Sequence, residues 1–325
     1  MSVEYRSEGL KPYIEIARPD HWFKNAFMLL GVALAFFYRQ ETPLDLSSMG
    51  RLALAVALTC LVASSNYVIN EWLDAPMDRE HPTKHTRPAA RGAIKGSYAI
   101  FEWGLLGLIG IGGSFALGTG FGFSALILWV MGCLYNIRPF RTKELPYLDV
   151  LSESLNNPIR LCLGWFALVP DQLPPVSLGI AYWMMGAYFM AAKRYAEYDS
   201  INDPERAARY RRSFHHYNLQ RLMASMVFYL SLAGMFGGVF IVRYKLELIL
   251  ATPLIAGFFT WYMFLTLRPE SPVQAPEKLY REKGFFLYAM LCSAVFLVLM
   301  FIDIPALDRL NVQEAGFQGL WRLGK

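Results

Sequence analysis

The sequence predicts an all-α fold, a polytopic membrane helical bundle of about nine transmembrane helices. Apolar residues make up 55% of the 325 positions, and the charged residues are concentrated between long apolar stretches. With their flanking residues, these stretches approach the roughly 20 residues that a helix needs to cross a bilayer. The nine stretches are 26–38, 52–69, 100–117, 121–133, 161–169 with its upstream helix, 176–192, 223–242, 246–267 and 285–302.

The segment before the first span, residues 1–24, is predicted to lie at the membrane interface. It mixes charged and apolar residues, Pro19 interrupts it, and Trp22 and Phe23 suit the head-group region. A simple anchor and a role in lining a site are both open. Its four acidic residues argue against a cleavable signal. Residues 25–303 form the transmembrane domain, and 304–325 are expected to be a poorly structured tail.

The connections between spans differ in length and charge. Residues 78–96 form a long basic loop, and 193–221 should contain a short surface helix capped by Asp203 with Pro204 in its first turn. Residues 118–120 and 171–175 read as short turns on the opposite side. The cysteines Cys60, Cys133, Cys162 and Cys292 lie apart in apolar helices, which favours a packing role.

The distribution of Lys and Arg predicts the orientation. Of 31 such residues, 23 fall in the N-terminal segment and in the connections after the second, fourth, sixth and eighth spans. Because the side rich in Lys and Arg faces the cytoplasm, the N-terminus is expected inside. The chain would be a multi-pass plasma (inner) membrane protein with its polar clusters on the cytoplasmic side.

A first acidic cluster ends the second span. Asn70, Asp74 and Asp78 recur every four residues and so share one slowly drifting helix face. Pro76 is expected to end or kink this helix near Ala75. Oxygen ligands suit Mg²⁺, which often takes one or two carboxylates together with water and substrate phosphates. A substrate diphosphate would complete such a site.

A second polar stripe opens the fifth span. Asp149, Glu153, Asn156 or Asn157, and Arg160 follow helical spacing, so they should share one face of a single helix. Ionisable groups at this depth are costly unless they face the bundle interior or a hydrated cavity. Arg160 either pairs with Glu153 as a structural salt bridge, or holds phosphate or orders Glu153.

Basic residues flank both clusters on the same side of the membrane. They are Lys84, Arg87, Arg138, Arg141, Lys143, Lys193 and Arg194. Each alone could be only a topology determinant. Together with a metal ion they could stabilise a departing diphosphate. Ionisation at an allylic prenyl C1 or at a sugar C1 would fit equally well, and no Gly-rich nucleotide loop or His-rich metal site competes.

These motifs carry a family resemblance. The Asn70-Glu71-x-x-Asp74-x-x-x-Asp78 pattern, the segment from Tyr135 to Lys143, and the pair Asp149 and Glu153 resemble the UbiA superfamily of intramembrane prenyltransferases. Within it, the segments 18–25, 78–88 and 193–197 are similar to the decaprenyl-phosphate phosphoribosyltransferases. The resemblance implies that residues 25–303 are a UbiA-like catalytic domain that transfers 5-phosphoribosyl from phosphoribosyl diphosphate to a polyprenyl phosphate.

The resemblance also implies roles for individual residues. Asp74, Asp78 and Asp149 would be catalytic, and Asn70, Asp74 and Asp78 would bind Mg²⁺. The substrate-binding residues would be Asn70, Lys24, Lys84, Arg87, Tyr135, Lys143, Glu153, Asn157, Arg160, Lys193 and Arg194. The expected partners are a polyprenyl lipid, a phosphorylated small-molecule donor and membrane lipids, with no nucleic acid.

Two other functions stay open from the sequence. The same metal-binding acids would serve a prenyltransferase that moves a polyprenyl chain from its diphosphate to an aromatic or other small acceptor. A transporter or scaffold with an ion site is the third possibility.

Overall fold

The computed structural model describes residues 9–38, 45–79 and 84–308, and these contain helices and no strand. The motif residues 80–83, most of the predicted tail and residues 1–8 lie outside the described part. The α-helices are α1 (Lys11–Ile16), α2 (Met28–Tyr38), α3 (Leu46–Asp78), α4 (Gly96–Ala116), α5 (Thr119–Asn136), α6 (Leu148–Ser154), α7 (Asn156–Phe166), α8 (Val176–Ile201), α9 (Pro204–Tyr210), α10 (Leu219–Tyr244), α11 (Thr252–Leu267), α12 (Lys283–Phe301) and α13 (Pro305–Asp308). Short 3₁₀ segments join several of them, including Pro19–Phe27, Thr142–Glu144 and Arg212–His215.

The all-helical membrane bundle is confirmed, whereas the count of nine spans is not. Within the described ranges, six helical segments are long and apolar enough to cross a bilayer: α3, α4, α5, α10, Leu246–Leu267 and α12. The other three predicted spans correspond to α2, with 11 residues, to the interrupted pair α6 and α7, and to α8, whose second half carries several charges. The protein is a multi-pass membrane protein.

Two apolar cores hold the bundle together. The first lies among α2, α3, α5 and α7 and includes the fully buried Phe121 and Leu161. The second lies among α8, α10 and α11 and includes Tyr188 and Met226. Helix α6 packs against α5, α7 and α8, so the second acidic cluster sits where the two cores meet.

Helices α2 and α7 approach each other at two glycines. A Cβ added to Gly31 would overlap the carbonyl oxygen of Leu161, and one added to Gly164 would overlap that of Met28. Backbones can come this close only where side chains are absent, which is the usual role of small residues between membrane helices. This contact fixes α7, and with it the end of α6, against the first core.

Two prolines act differently from the sequence expectation. Helix α3 does not end near Ala75 but continues through Pro76 to Asp78, so Asn70, Asp74 and Asp78 stay on one helix. The fifth span, by contrast, is not one helix. Pro158 cannot donate to the carbonyl of Ser154 and its ring crowds that group, and the helix breaks at Leu155. The predicted single polar stripe is therefore divided between α6 and α7.

The predicted connections are found. Asp203 Oδ1 accepts from the backbone N–H groups of Glu205 at 2.9 Å and Arg206 at 3.2 Å, which caps α9. Only two residues separate α4 from α5, and one of them, Gly118, has a φ of +127° that an L side chain rarely adopts.

Candidate active site

The first acidic cluster is held by cations from two connections. Asp74 accepts from Arg141 Nη2 at 2.9 Å and from Lys143 Nζ at 2.6 Å. Asp78, 4% exposed, accepts from Arg87 Nη1 at 2.7 Å. These carboxylates come from the last turns of α3, and their partners come from the segments that follow α3 and α5. The helix spacing thus places the acids, and the loops bring the opposite charge to them.

Two amides complete this cluster. Asn70 Nδ2 donates to Asn136 Oδ1 at 2.5 Å, and Lys143 Nζ donates to the same oxygen at 2.9 Å. Asn136 ends α5, so the last turn of that helix is tied to α3 through one shared acceptor. Asn70 and Asp74 therefore share one connected polar cluster, and Asp78 with Arg87 lies one helical turn further along α3.

The second acidic cluster centres on Asp149, which is completely buried. Its Oδ2 lies 3.3 Å from Arg194 Nε, 3.4 Å from Arg211 Nε and 3.1 Å from Ser213 Oγ. Tyr217 donates its hydroxyl hydrogen to Oδ1 at 2.7 Å. Three hydrogen-bond donors and the Arg211 guanidinium thus surround the carboxylate, and together they tie α6 to α8 and to the segment after α9.

Glu153 connects the two clusters. One turn after Asp149 on α6, it accepts from Tyr135 Oη at 3.0 Å and from Arg194 Nη2 at 3.2 Å. The Lys143 ammonium, which binds Asp74, lies 5.8 Å from the centre of the Tyr135 ring. The two acidic clusters consequently border one polar region at one end of the bundle, as the sequence predicted.

Lys84 also faces both clusters. Burial and the neighbouring charge of Arg87 lower its pKa, while Asp78 and Asp74 oppose that shift and Arg211 adds to it. The same lysine thus feels the carboxylates of α3 and the arginine that contacts Asp149. Lys84, Arg87 and Arg211 are thus close enough to influence one another, and a group of neighbouring cations suits a multiply charged anion.

Lys24 and Lys193 lie at the edge of this region. Burial lowers the pKa of Lys24, the charge of Glu153 opposes the shift, and Arg18, Arg160 and Lys193 add to it. The segment before α2 therefore packs onto the site, since Trp22 Nε1 also donates to Ser64 Oγ of α3 at 2.9 Å. Of the two readings of this segment, the contacts favour lining the site.

Arg160 and Asn157 have other partners than expected. Arg160 Nε donates to Asn25 Oδ1 at 3.0 Å. No ion pair joins it to Glu153 in the described ranges, where Arg194 fills that role. Of the two alternatives for Arg160, the structural salt bridge with Glu153 is therefore not found, and the role in holding phosphate or ordering Glu153 stays a prediction. Asn157 packs against Gly186 of α8.

Sequence reasoning missed four residues of the site: Asn136, Arg211, Ser213 and Tyr217. Arg211 belonged to a basic run that read equally well as a lipid-contacting face. The others are ordinary polar residues: Ser213 and Tyr217 lie more than 60 positions from Asp149, and Asn136 lies 66 positions from Asn70. Only the fold brings them together.

The donor set fits a magnesium ion that a substrate helps to hold. Within the part of the chain that the structure describes, no three His, Cys, Asp or Glu side chains form a metal-binding group by themselves. Mg²⁺ often takes only one or two carboxylates and keeps water and phosphate oxygens as its other ligands. Asp74 and Asp78, one helical turn apart with Asn70 below them, supply such a partial set of oxygens.

Comparison with known proteins agrees with this architecture. Decaprenyl-phosphate phosphoribosyltransferase from Corynebacterium glutamicum is 30% identical over 193 residues, 57% of this chain and 54% of that protein. The nodulation protein NoeC from Azorhizobium caulinodans is 37% identical over 108 residues, 33% of each chain. The chain thus spans about half the length, or less, of these curated relatives.

A solved structure shares the fold over nearly the whole chain. The UbiA homolog from Archaeoglobus fulgidus bound to DMAPP and Mg²⁺ superimposes with a TM-score of 0.65 at 19% identity, covering 90% of this chain and all of that one. The model of the UbiA prenyltransferase family matches residues 28–291, which include both acidic clusters. On that match over most of its length, the chain belongs to the UbiA prenyltransferase family.

Proposed function

We propose that this protein is a membrane-embedded, Mg²⁺-dependent transferase that moves 5-phosphoribosyl from phosphoribosyl diphosphate to a polyprenyl phosphate and releases diphosphate. The observation that carries the proposal is the single polar region in which Asp74, Asp78 and Asp149 each lie against Arg or Lys side chains. Acids for a metal ion and cations for phosphate stand side by side there. The relatives named decaprenyl-phosphate phosphoribosyltransferase support the choice of donor and acceptor.

The first cluster would hold the donor diphosphate. Asn70, Asp74 and Asp78 supply oxygens for Mg²⁺, which when bound would neutralise charge on the leaving diphosphate. Lys143 and Arg87, now paired with Asp74 and Asp78, would turn to the phosphate oxygens as the carboxylates turn to the metal. Lys84 would add a further cation.

The reaction needs no strong base. An oxygen of the acceptor phosphate, already anionic at neutral pH, would form a bond to C1 of the ribose while the bond from C1 to the diphosphate oxygen breaks with its electron pair. Positive charge develops at C1 during this exchange. Glu153, 38% exposed where Asp149 is fully buried, is the carboxylate placed to stabilise it.

Asp149 would act by holding Arg194 and Arg211 in position. Its three hydrogen-bond donors and the neighbouring Arg211 leave little room for a further ligand, so we assign it a positioning role rather than direct metal binding. The lipid tail of the acceptor would run along the bundle from the membrane, and the site would face the cytoplasm, where the Lys-rich and Arg-rich connections lie.

Prenyl transfer from a diphosphate to an aromatic or other small acceptor is the second candidate. It is favoured by the family match and by the aromatic ring of Tyr135, whose hydroxyl binds Glu153 and whose face could stabilise an allylic cation. A prenyl diphosphate, however, carries no phosphate group besides its diphosphate. It would therefore leave part of the cationic region without a ligand.

An assay with purified full-length protein tests the proposal. With Mg²⁺, labelled phosphoribosyl diphosphate and polyprenyl phosphate, label should enter the lipid fraction and diphosphate should appear in equal amount. A matched reaction replaces the donor by a prenyl diphosphate and offers an aromatic acid. Product only in the second reaction would reject phosphoribosyl transfer in favour of prenyl transfer, and no diphosphate with any pair would favour an ion-binding scaffold or transporter.

A further inference from the structure

A cavity of about 420 Å³ lies beside the first acidic cluster, between the N-terminal segment and the connection that follows α3. Its wall includes Arg18, Glu71, Thr86 and Arg87. Arg87 also binds Asp78 at 2.7 Å, so one side chain borders both the cavity and the proposed diphosphate site. A ligand in the cavity would therefore lie next to the metal-binding acids.

Arg18 is held in the cavity in an unusual way. Its φ of 52° lies in the left-handed region, which non-glycine residues adopt at a cost and mostly where function requires it. Its guanidinium carbon lies 6.0 Å from the centre of the Tyr67 ring. In the described ranges no carboxylate lies within ion-pair distance of it, and burial together with the charge of Arg87 lowers its pKa.

Three carboxylates also border the cavity, those of Glu15, Asp20 and Glu71, and the charges of Asp20 and Glu71 oppose the lowering of the Arg18 pKa. Glu71 Oε1 accepts from the backbone N–H of Ala89 at 3.2 Å and the residue is 2% exposed. Glu15 pairs with Arg91 at 3.2 Å, and the Asp20 carboxylate is 69% exposed. Arg18 and Arg87 are thus the cations that a ligand would meet.

A neutral histidine lies next to this pair. Burial, with the charges of Lys24 and Arg18, lowers the pKa of His21 to about 4. The ring is therefore uncharged at neutral pH and does not compete with the arginines for an anion. Two guanidinium groups in a partly buried cavity are well suited to the oxygens of a phosphate group.

We infer that this cavity binds the phosphate monoester of a substrate, with Arg18 as its specificity-determining residue. The inference rests on the proposed function, in which both the donor's 5-phosphate and the acceptor's phosphate are monoesters. Arg18 would then distinguish a phosphoribosyl donor from a prenyl diphosphate. Neither composition nor helical periodicity marks Arg18 for this role.

Binding measurements test the inference independently of turnover. The full-length protein in detergent, wild type and Arg18→Gln, is titrated by calorimetry with ribose 5-phosphate, with geranyl phosphate and with magnesium diphosphate. Removing a charged hydrogen-bonding partner should weaken the relevant monoester by about 10- to 100-fold, and leave magnesium diphosphate unchanged. Arg18→Lys keeps the charge and loses the planar guanidinium group. It should bind the monoester with an affinity between those of the wild type and Arg18→Gln.

Arg206→Gln on α9 is the matched control, since it removes the same charge from an exposed position outside the cavity wall. Weaker ribose 5-phosphate alone would assign the cavity to the donor, and weaker geranyl phosphate alone would assign it to the acceptor. Unchanged binding of both monoesters, or an equal loss in Arg206→Gln, would overturn the inference. Transfer of labelled phosphoribose by the wild type, measured separately, distinguishes this failure from failure of the proposed function.

Discussion

Asp74 and Asp149 carry the same side chain in different surroundings. Asp74 is partly exposed and meets two cations, whereas Asp149 is buried and meets three hydrogen-bond donors and the Arg211 guanidinium, from α8 and the segment after α9. The first can exchange its partners for a metal ion, while the second cannot do so without leaving Arg211 without a carboxylate. The two residues should therefore respond differently to the same substitution.

Asp74→Asn should abolish most catalysis and leave the fold intact. Losing one metal ligand removes charge stabilisation worth several kcal/mol in the transition state, so turnover should fall by about 100-fold or more. Diphosphate release measures the rate, and thermal unfolding in detergent measures the stability. Asp171→Asn in the exposed turn before α8 is the control, and comparable rates in both variants would contradict the assignment.

Asp149→Asn should instead lower stability. Removing one partner of a buried ion pair leaves an uncompensated charge, which costs about 3–5 kcal/mol. Here Arg211 loses its carboxylate, whereas Arg194 keeps Glu153 and Glu197, so the loss should lie near the lower end of that range. The unfolding midpoint should drop clearly below that of Asp74→Asn. A variant that unfolds like the wild type but turns over no substrate would show that Asp149 contacts the reacting groups directly.

At the scale of single elements, the backbones of α2 and α7 pack too closely to admit even a methyl group between them. Gly31→Ala or Gly164→Ala would drive a methyl group into a backbone carbonyl, and overpacking of this kind typically costs about 1–3 kcal/mol. Gly112→Ala on α4, which has nothing within 4 Å of the added Cβ, should instead be neutral or stabilising by up to about 1 kcal/mol. Unfolding midpoints of the three variants decide the matter, and equal midpoints would refute the close approach.

The elements also show what a local rule can predict. Periodicity placed Asn70, Asp74 and Asp78 on one helix face correctly, because the spacing of a regular helix is a property of the chain itself. The rule for proline was wrong at Pro76, since α3 continues through that residue to Asp78. At Pro158 no interruption was predicted, and the single helix expected there is wrong because the helix is interrupted at Leu155.

On the scale of the whole molecule, labelling of single cysteines should give the orientation. Asp171→Cys in the turn before α8 and Glu205→Cys on α9 lie on opposite sides if the Lys and Arg distribution is read correctly. A membrane-impermeant maleimide applied to intact cells should label the first and spare the second. The four native cysteines are buried or half-buried, so the parent protein supplies the background, and the reverse pattern would invert the topology.

The overall fold could be predicted because it follows from where charges are allowed in a membrane. Apolar stretches must cross it, and acids must meet at a hydrated face. What could not be predicted is which cation meets which acid. Lys143 reaches Asp74 across 69 positions and Tyr217 reaches Asp149 across 68, and such pairings depend on how the helices pack rather than on any spacing in the chain.

The pairing of each acid with a basic side chain has a consequence for the order of events. A magnesium ion arriving by itself would have to displace Lys143 and Arg141 from Asp74. Arg141 would keep Glu144, whereas Lys143 would lose its carboxylate partner. Diphosphate arriving by itself would bind those basic side chains and leave the Asp74 carboxylate without an ion-pair partner. When Mg²⁺ and diphosphate bind together, each carboxylate exchanges a basic side chain for the metal ion, and each basic side chain exchanges a carboxylate for phosphate oxygens. We therefore expect the site to bind free Mg²⁺ weakly and to take up the magnesium–diphosphate complex as one unit.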